Sequence, residues 1–352
     1  MIGRILALKV TYLIGNGFDL SLGLKTSYAD FIEIYGKTGC HDECIRILKD
    51  SIGKDPESWA DAEVAMGRIA KRFTGETAVK DYLRCHSDFV NELSKYLDNQ
   101  QRLFHAQDFE SDIIEGFKEA TVHLYKHLFP YKVSIKNAYA KNSANDWEFQ
   151  FISFNYTTTL DRCIDLFGAP GCIIHSQFEN FRKHPSKISG VIHVHSITDF
   201  GMQMGVDHAS QIDDSLIRSA NDVKCSVVKP LANDLLNPEI VKSCSSSIER
   251  SDIICTYGMS LGETDTIWWK KIVKWLLAGE SHLLVIFYYD NDYHAAVAGD
   301  YNIWSNKAKE MLLDNAEVDS NSKEYEMLKK RIYVCMNISL FGIELRNICK
   351  PS

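Results

Sequence analysis

The sequence has little of what marks several large classes of protein. Only 7 of its 352 residues are proline and 20 are glycine, which excludes collagen-like and low-complexity disordered chains. Basic residues are fewer than acidic residues, 39 against 47, which gives a net charge of −8. A negative body repels phosphate backbones, so we expect no general nucleic-acid binding. No apolar run approaches the ~20 residues of a membrane span, and we expect no membrane partner.

The cysteines form neither a metal-binding pattern nor a disulfide framework. Ten cysteines are scattered along the chain, several inside apolar runs, and no Cys-x-x-Cys pair occurs. The cluster of Cys40, His41 and Cys44 lacks a second pair of ligands, so we expect no metal. Arg4 and Lys9 interrupt the apolar N-terminal stretch, which therefore does not resemble a signal peptide. We expect a cytoplasmic protein with reduced thiols.

Short apolar runs rich in β-branched and aromatic residues predict six strands. They lack strict alternation, which is typical of strands buried on both faces of a parallel sheet. Helical patterns follow two of them, at Thr157–Phe167 and Glu263–Ala278. This alternation predicts an α/β fold with a Rossmann-like, mainly parallel sheet. The predicted strands are Leu8–Ile14, Phe149–Phe154, Val191–His195, Asp252–Tyr257, His282–Tyr288 and Arg331–Cys335.

The stretch between the first two strands has a different character. Residues 26–147 contain helical patterns and no convincing strand. We predict a large helical insertion there, packed beside a nucleotide-binding domain formed by residues 1–25 and 148–352. Residues 199–250 are polar without a clear period, and we expect them to fold over the edge of the sheet as a lid. The helical patterns lie at Ser27–Tyr35, Pro56–Phe73, Ala78–Leu97 and Asp108–Leu128.

A glycine turn follows the first predicted strand. In Gly15-Asn16-Gly17-Phe18-Asp19 the two glycines would let backbone N–H groups approach a phosphate closely, because they carry no Cβ. The third glycine of the dinucleotide fingerprint is missing, and a tight strand-to-helix turn explains the pattern equally well. Asp19 is a candidate to bind a ribose hydroxyl or to cap the turn that follows.

Polar residues also end the second and third predicted strands. Asn155 is either a turn residue before a threonine cap or a ligand-binding residue at the carboxyl end of a parallel strand. His193 and His195 are two residues apart, so within a strand both rings face the same side and would share one cleft. Such a pair suggests two metal ligands, or a general base with a supporting partner. A single histidine is more often a satisfied core or surface residue.

The fourth candidate is the loop Gly258–Asp265, before the second helical pattern. Its glycines allow a tight passage, and Glu263 or Asp265 is suited to accept ribose hydroxyls. Both acids also suit a helix N-terminus, where they need no ligand. Together the four sites place glycine, asparagine, histidine and carboxylates at the strand ends of one sheet, which predicts a nucleotide crevice.

Read together, these segments resemble the AbiH family of bacterial abortive-infection proteins, which act against bacteriophages. The resemblance extends from near the N-terminus to residue 265. It implies an anti-phage effector, with a phage-derived trigger and a second copy of the chain, in a homo-oligomer, as expected partners. The matching stretches are Leu13–Leu20, Gly23–Tyr28, Trp59–Glu63, Phe154–Thr157, and Gly258 with Ser260–Asp265.

The order of these motifs also looks like that of the sirtuin-like NAD-binding fold. In that fold the asparagine and the histidine lie beside the nicotinamide ribose, which implies Asn155 and His195 as catalytic residues. Asn155 would hold the ribose hydroxyls and orient water, and His195 would serve as a base near neutral pH. The turn Gly258–Leu261 would approach the adenosine side, with the pyrophosphate at Gly15 and Gly17.

Two departures narrow the activity that this resemblance implies. Ser196 stands where a glycine usually follows the histidine, and no zinc-binding cysteine quartet is present, which argues against protein deacetylation. Cleavage of the nicotinamide–ribose bond is the activity that remains. Two alternatives stay open. One is a nucleotide-sensing or protein-binding module without catalysis, and the other is a metal-dependent nuclease or phosphodiesterase that uses His193, His195, Asp207 and His208.

The expected ligand is therefore a small nucleotide, with NAD as substrate or ligand and no metal. In the segment Trp59–Glu63, Asp61 and Glu63 are two residues apart and do not share a helix face, so we expect one to pack and the other to reach the cleft. The residues expected to bind the nucleotide are Gly15, Asn16, Gly17, Phe18, Asp19, Tyr156, Gly258, Ser260, Glu263 and Asp265.

Overall fold

A central sheet organises the chain in the computed structural model, which describes residues 7–128, 132–141, 146–168, 173–174, 186–297 and 299–342. The strands are β1 (Leu8–Ile14), β2 (Trp147–Ser153), β3 (Ile173–Ile174), β4 (Ser186–His193), β5 (Ile253–Tyr257), β6 (Leu283–Tyr288) and β7 (Ile332–Met336). Their spatial order is β3-β4-β2-β1-β5-β6-β7. Every pair is parallel except β3 with β4. The predicted α/β class and mainly parallel Rossmann-like sheet are confirmed.

The six parallel strands are arranged in a doubly wound order. Numbered along the chain without β3, they lie in the order 3-2-1-4-5-6, which reverses between β1 and β5. In such sheets ligands bind outside the carboxyl ends of the strands, at the point of reversal. β1 has the predicted bounds, whereas β4 begins five residues before the predicted Val191. Its first half was not predicted because the residues before Val191 are mostly polar and end in Gly190, whose φ is 102°. The register with β2 shifts at the same place, between Phe149 and Phe151.

Seven α-helices lie in the described residues between β1 and β2. The predicted helix Pro56–Phe73 is in fact interrupted at Asp61, whose carboxylate accepts the N–H of Val64 and starts a new helix. The helix Glu43–Lys54 was not predicted, although its buried residues have helical spacing. The seven are α1 (Gly17–Ser21), α2 (Tyr28–Tyr35), α3 (Glu43–Lys54), α4 (Ala62–Ile69), α5 (Ala78–Arg102), α6 (Glu110–Ala120) and α7 (Lys132–Lys141).

The helices that follow β2 cover both the sheet and the insertion. Residues 199–250, expected to form a lid, contain short helices whose five to twelve residues are too few to show a clear period. The helices after β2 are α8 (Thr159–Asp165), α9 (Ser215–Ser219), α10 (Asn221–Val227), α11 (Lys229–Leu236), α12 (Pro238–Glu249), α13 (Thr266–Ala278), α14 (Asp300–Asn315) and α15 (Lys323–Lys329).

Three apolar cores hold these elements together. One face of the sheet packs against α6, α7 and α8, and the other packs against α12 to α15. A third core is formed by α2 to α5 together with residues 202–228, and we call this unit the cap. Thus α12 belongs to the sheet through Cys244 and Ile248, while Met204 and Val223 belong to the cap. The segment expected to be one lid is divided between the two.

Two expectations from composition concern thiols and membranes. The cysteines that the structure describes are free thiols, eight in number, whereas Cys172 and Cys349 lie outside the described residues. No helix in the described part of the chain combines the length and the apolar composition that crossing a bilayer requires.

Candidate functional site

A cleft of about 820 Å³ opens between the carboxyl edge of the sheet and the cap. Its volume lies within the roughly 300–1,000 Å³ that is usual for small-molecule sites. It lies at the reversal between β1 and β5, where a doubly wound sheet binds ligands. We call the side formed by Asp19, Asn155, His195 and Asp265 the sheet-edge wall. The opposite side, formed by Tyr28, Glu63 and Lys229, is the cap wall.

The glycines of the first motif bring two loops into backbone contact. The N–H of Gly15 donates to the carbonyl of Tyr257 at 2.9 Å, and that of Gly17 donates to the carbonyl of Gly258 at 3.0 Å. A Cβ on Gly17 would lie 2.5 Å from the Cα of Gly258, so only glycine fits. These two N–H groups are thus engaged within the protein, and the close packing of the β1 and β5 loops itself requires the glycines.

Asp19 is completely buried and positions the loop that follows β2. Its Oδ1 accepts from Nδ2 of Asn155 at 3.3 Å, and its Oδ2 accepts from Oγ1 of Thr157 at 2.5 Å. Burial raises the pKa of Asp19 to about 6, although these two hydrogen bonds act to lower it. Asp19 therefore connects α1 to the end of β2 and fixes the amide of Asn155.

Asn155 keeps one acceptor unused. Its Nδ2 is occupied by Asp19, but its buried Oδ1 has no hydrogen-bond partner within the described residues. Its backbone carbonyl is near Nδ1 of His193, at 3.3 Å. Because an amide oxygen accepts hydrogen bonds, this atom can receive a donor from a ligand in the cleft.

His195 has one paired and one unpaired ring nitrogen. Nε2 lies 3.2 Å from Oδ1 of Asp265, and Nδ1 is buried without a partner in the part of the chain that the structure describes. An ionised carboxylate only accepts, so in the neutral ring Nε2 carries the proton and Nδ1 carries the lone pair. The geometry thus leaves a basic nitrogen on a side chain that lines the cleft.

Lys229 connects the two walls. Its Nζ lies 2.7 Å from Oε2 of Glu63 and 3.4 Å from Oδ1 of Asp265, and the side chain is only 3% exposed. Burial acts to raise the pKa of Asp265, but the charge of Lys229 and the hydrogen bond from His195 outweigh it and lower that pKa to about 2. For Lys229, burial acts to lower the pKa, and Asp265 and Glu63 raise it above its ordinary value.

Glu63 completes the cap wall with a full set of donors. Besides Lys229, it accepts from the hydroxyl of Tyr28 at 3.1 Å and from that of Tyr156 at 2.9 Å. The hydroxyl oxygen of Tyr156 also lies 3.1 Å from the carbonyl oxygen of Gln203, which competes with Glu63 for its single proton. Burial raises the pKa of both tyrosines well above the ordinary value, so they act as neutral donors.

The family model described as Bacteriophage abortive infection AbiH matches residues 11–288. The chain belongs to the AbiH family. The matched span includes most of β1, all of β2, β4, β5 and β6, the cap, and every residue of the two walls. A comparison with curated proteins returns no match. Membership associates this AbiH chain with abortive infection by phage, as its motifs predicted.

In this AbiH chain, His193 and His195 do not share the cleft. β4 ends at His193, so strand alternation does not continue to His195. Nε2 of His193 lies 2.9 Å from Asp161 instead, while His208 is exposed and contacts Ser210. Within the residues that the structure describes, no three His, Cys, Asp or Glu side chains meet as metal ligands would. The ligand set of the nuclease alternative is therefore not assembled.

Two residues predicted to bind the nucleotide do not line the cleft. The ring of Phe18 packs edge-on against Phe117 and Phe341 in the core beneath the sheet, with ring centroids 6.5 and 5.3 Å apart. Glu263 is exposed on a short 3₁₀ turn. The remaining predicted residues do line it, namely Gly15, Asn16, Gly17, Asp19, Asn155, Tyr156, His195, Gly258, Ser260 and Asp265.

The family segment Trp59–Glu63 supplies both of its acids to the cleft. The expectation that only one would reach it is wrong, because Asp61 is the residue before α4 and the spacing rule for helix faces does not apply to it. Although Asp61 is exposed, its partial loss of hydration beside the cap raises its pKa, and the nearby charge of Glu63 adds to this effect. Trp59 packs in the cap core against Phe89.

Ser196 occupies a backbone conformation that favours glycine. Its φ is 63°, in the left-handed region, and its Oγ donates to the carbonyl of Phe200 at 2.7 Å. This conformation explains in physical terms why a glycine is expected after the histidine.

Lys229 is a charged residue of the cleft that the sequence analysis did not predict. Its carboxylate partners lie 36 and 166 residues away along the chain. No local sequence pattern predicts that a lysine followed by a proline at the start of a helix is buried. The only available signal was the pair of acids in the matching motifs, Glu63 and Asp265, which need a buried cation if they meet.

Proposed function

We propose that this AbiH-family protein binds NAD or a closely related nucleotide in the cleft and hydrolyses the bond between nicotinamide and ribose. The observation that carries the proposal is a pair of buried acceptors on cleft-lining side chains, Oδ1 of Asn155 and Nδ1 of His195, which have no partners in the described residues. Both side chains line the cleft, and both were predicted as catalytic from their motifs.

Unused buried acceptors favour a ligand that brings donors. More than nine-tenths of buried polar groups in proteins are hydrogen-bonded, and each one left without a partner costs about 1–3 kcal/mol. A ribose carries hydroxyl donors, and a water molecule carries two more. A sugar and a water beside Asn155 and His195 would satisfy both acceptors.

The charges along the cleft suit the nicotinamide end of NAD. Among the described residues, four carboxylates line it, those of Asp19, Asp61, Glu63 and Asp265, against a single lysine, Lys229. Nearby carboxylates stabilise a positive charge, and the nicotinamide ring of NAD is cationic until its bond to ribose breaks. The pyrophosphate would depend on neutral donors instead, such as the serines at positions 21, 27 and 260 that also line the cleft.

In the proposed hydrolysis, water replaces nicotinamide at C1′ of the ribose and loses a proton. Nδ1 of His195 is suited to take that proton, and Asp265 would stabilise the charged ring through Nε2. Oδ1 of Asn155 is suited to hold a ribose hydroxyl. A well-placed general base contributes about 10²–10⁴-fold to rate. The products would be nicotinamide and ADP-ribose.

The test is to incubate the purified protein with NAD and measure free nicotinamide by chromatography, with and without lysate from phage-infected cells. We expect release of nicotinamide in at least the second condition. Binding of NAD without release in either condition would replace the hydrolase with a nucleotide-sensing module. Absence of both binding and release would remove the proposal.

A further inference from the structure

We propose that Lys229 is a positioning residue that keeps Asp265 ionised against His195 and so determines which ring nitrogen of His195 accepts a proton. The catalytic meaning of this inference rests on the proposed function. Lys229 does not act on the reacting bond in this proposal. It acts through Asp265, which lies between it and the histidine.

The contacts make Lys229 important chiefly to Asp265. If Lys229 lost its charge, Glu63 would keep two donors, the hydroxyls of Tyr28 and Tyr156. In the described residues, the carboxylate of Asp265 would keep only one side-chain hydrogen-bond partner, the ring of His195. A buried carboxylate that loses its cation tends to take up a proton, because burial disfavours its charged form.

The charged groups around Asp265 strengthen this dependence. Lys229 faces it from the start of α11 and His195 from the turn after β4. Asp207 brings negative charge close to Asp265, and Glu63 brings negative charge close to Lys229 and Asp207. Asp207 is itself buried enough that its pKa is raised to about 6. Without Lys229, three neighbouring carboxylates, those of Asp265, Asp207 and Glu63, would have His195 as their remaining positive partner.

The state of Asp265 sets the tautomer of His195. An ionised Asp265 accepts from Nε2–H and leaves the lone pair on Nδ1, the nitrogen that has no partner among the described residues. A protonated Asp265 would donate to Nε2 and favour a proton on Nδ1. The base would then be lost although every heavy atom kept its place.

The first experiment needs no variant of Lys229. Long-range proton–nitrogen correlation spectra of protein labelled with nitrogen-15 in histidine would be recorded at pH 8, and His195→Gln would assign the resonance. We expect the Nε2–H tautomer for His195. An Nδ1–H tautomer, or rapid exchange between the two, would overturn the inference.

The second experiment compares Lys229→Met with Lys242→Met. Lys242 forms a Lys–Glu pair of the same 2.7 Å length, with Glu239, but on the surface. For Lys229→Met we expect the acid limb of the kcat profile, and the pH at which the His195 resonance titrates, to move up by about one pH unit or more. Lys229→Arg should retain the wild-type profile, and Lys242→Met should change neither quantity.

The outcomes separate the inference from the proposed function. Loss of activity in Lys229→Met with an unmoved His195 titration would show a merely structural role and overturn the inference. If Lys229→Met does not fold, the inference is tested by the pH profile of Lys229→Arg and by the tautomer of His195 in the wild-type protein. If wild-type protein releases no nicotinamide, the proposed function fails, whereas the histidine spectra still test the dependence of His195 on Lys229.

Discussion

The sheet-edge wall and the cap wall of the cleft differ in how their polar groups are partnered. On the sheet edge, Asn155 and His195 each use one side-chain atom in a hydrogen bond and bury another that has no partner in the described residues. On the cap side, Glu63 accepts from three donors and Lys229 contacts two carboxylates. Within the described residues, the sheet-edge wall thus has buried acceptors that no donor uses, whereas Glu63 and Lys229 of the cap wall already have several partners.

This difference indicates a division of roles. Unused acceptors cost stability and are retained where a ligand satisfies them, whereas a saturated ion-pair network holds its elements in one arrangement. Variants of Asn155 and His195, the two residues with unused acceptors, should therefore lose activity and keep their stability. Variants of the cap wall should lose stability in proportion to how deeply the altered charge is buried.

The largest expected effect is on the sheet-edge wall. Asn155→Ala and His195→Ala should each lower the release of nicotinamide by 10²-fold or more, because each removes an acceptor that the proposed chemistry uses. Their thermal unfolding midpoints should stay close to wild type. His193→Ala should cost less, because His193 contacts Asp161 and the carbonyl of Asn155 and does not line the cleft.

A cellular assay gives the result that would contradict this. If cells carrying the Asn155→Ala, His195→Ala double variant survive phage as the wild type does, hydrolysis is not how the protein protects. The binding module would then take its place.

The next effect concerns the cap wall. Glu63→Gln should lower the free energy of unfolding by about 1–3 kcal/mol, because a neutral amide replaces one of the two carboxylates that compensate the buried charge of Lys229. Glu239→Gln is the matched control, since it breaks an exposed pair of the same 2.7 Å length, and it should leave stability unchanged. Urea unfolding of both variants measures the difference. Equal effects would show that burial does not distinguish the cap wall.

A smaller effect tests the burial of Asp19 through pH. Its pKa is raised from 3.8 to about 6, so the folded state holds a proton that the unfolded state releases, and stability falls as pH rises from about 4 to 6. Asp19→Asn should therefore be more stable than wild type at pH 8 by about 1–3 kcal/mol, with the difference disappearing below pH 4. Urea unfolding at pH 4, 6 and 8 would show this, and a difference independent of pH would refute it.

The smallest effect concerns the residue after His195. Ser196→Gly relieves the left-handed backbone but loses a hydrogen bond to Phe200, so stability should rise by no more than about 1 kcal/mol. Ser196→Ala keeps the strain and loses the bond, and should be less stable than wild type. Activity of the glycine variant should be unchanged or higher. An alanine variant as stable as the glycine variant would contradict the strain argument.

The sheet was predictable because its strands are buried on both faces. Six of the seven residues of β1 are buried, and the predicted bounds Leu8–Ile14 are those observed. The start of β4 was not predictable, because Lys187 and Gly190 make it resemble a turn. Patterns of this kind report burial, so they fail where a strand lies towards the edge of the sheet and half-exposes its side chains.

The site was predictable only where it lies at strand ends. Asn155, His195 and Asp265 each follow a strand, and their motifs mark them. Lys229 and the interaction of Glu63 with Tyr28 depend on contacts between distant parts of the chain, which no local period records. Gly15 and Gly17 were expected to let backbone N–H groups approach a phosphate. In the structure these glycines instead allow the close backbone contact between two loops.

The composition of the cap core has a consequence for biosynthesis. Helices α2 to α5 are made early, yet their core includes residues 202–228, and His86 contacts the carbonyl of Met204, which lies 118 residues later. At ~5–20 residues per second, the ribosome needs about 8–33 s to pass from Glu63 to Lys229, 166 residues on. During that interval the apolar faces of the early helices lack their later partners and are open to chaperones. A nascent chain that stops before Lys229 therefore lacks a complete cleft, and translation itself delays the formation of the site.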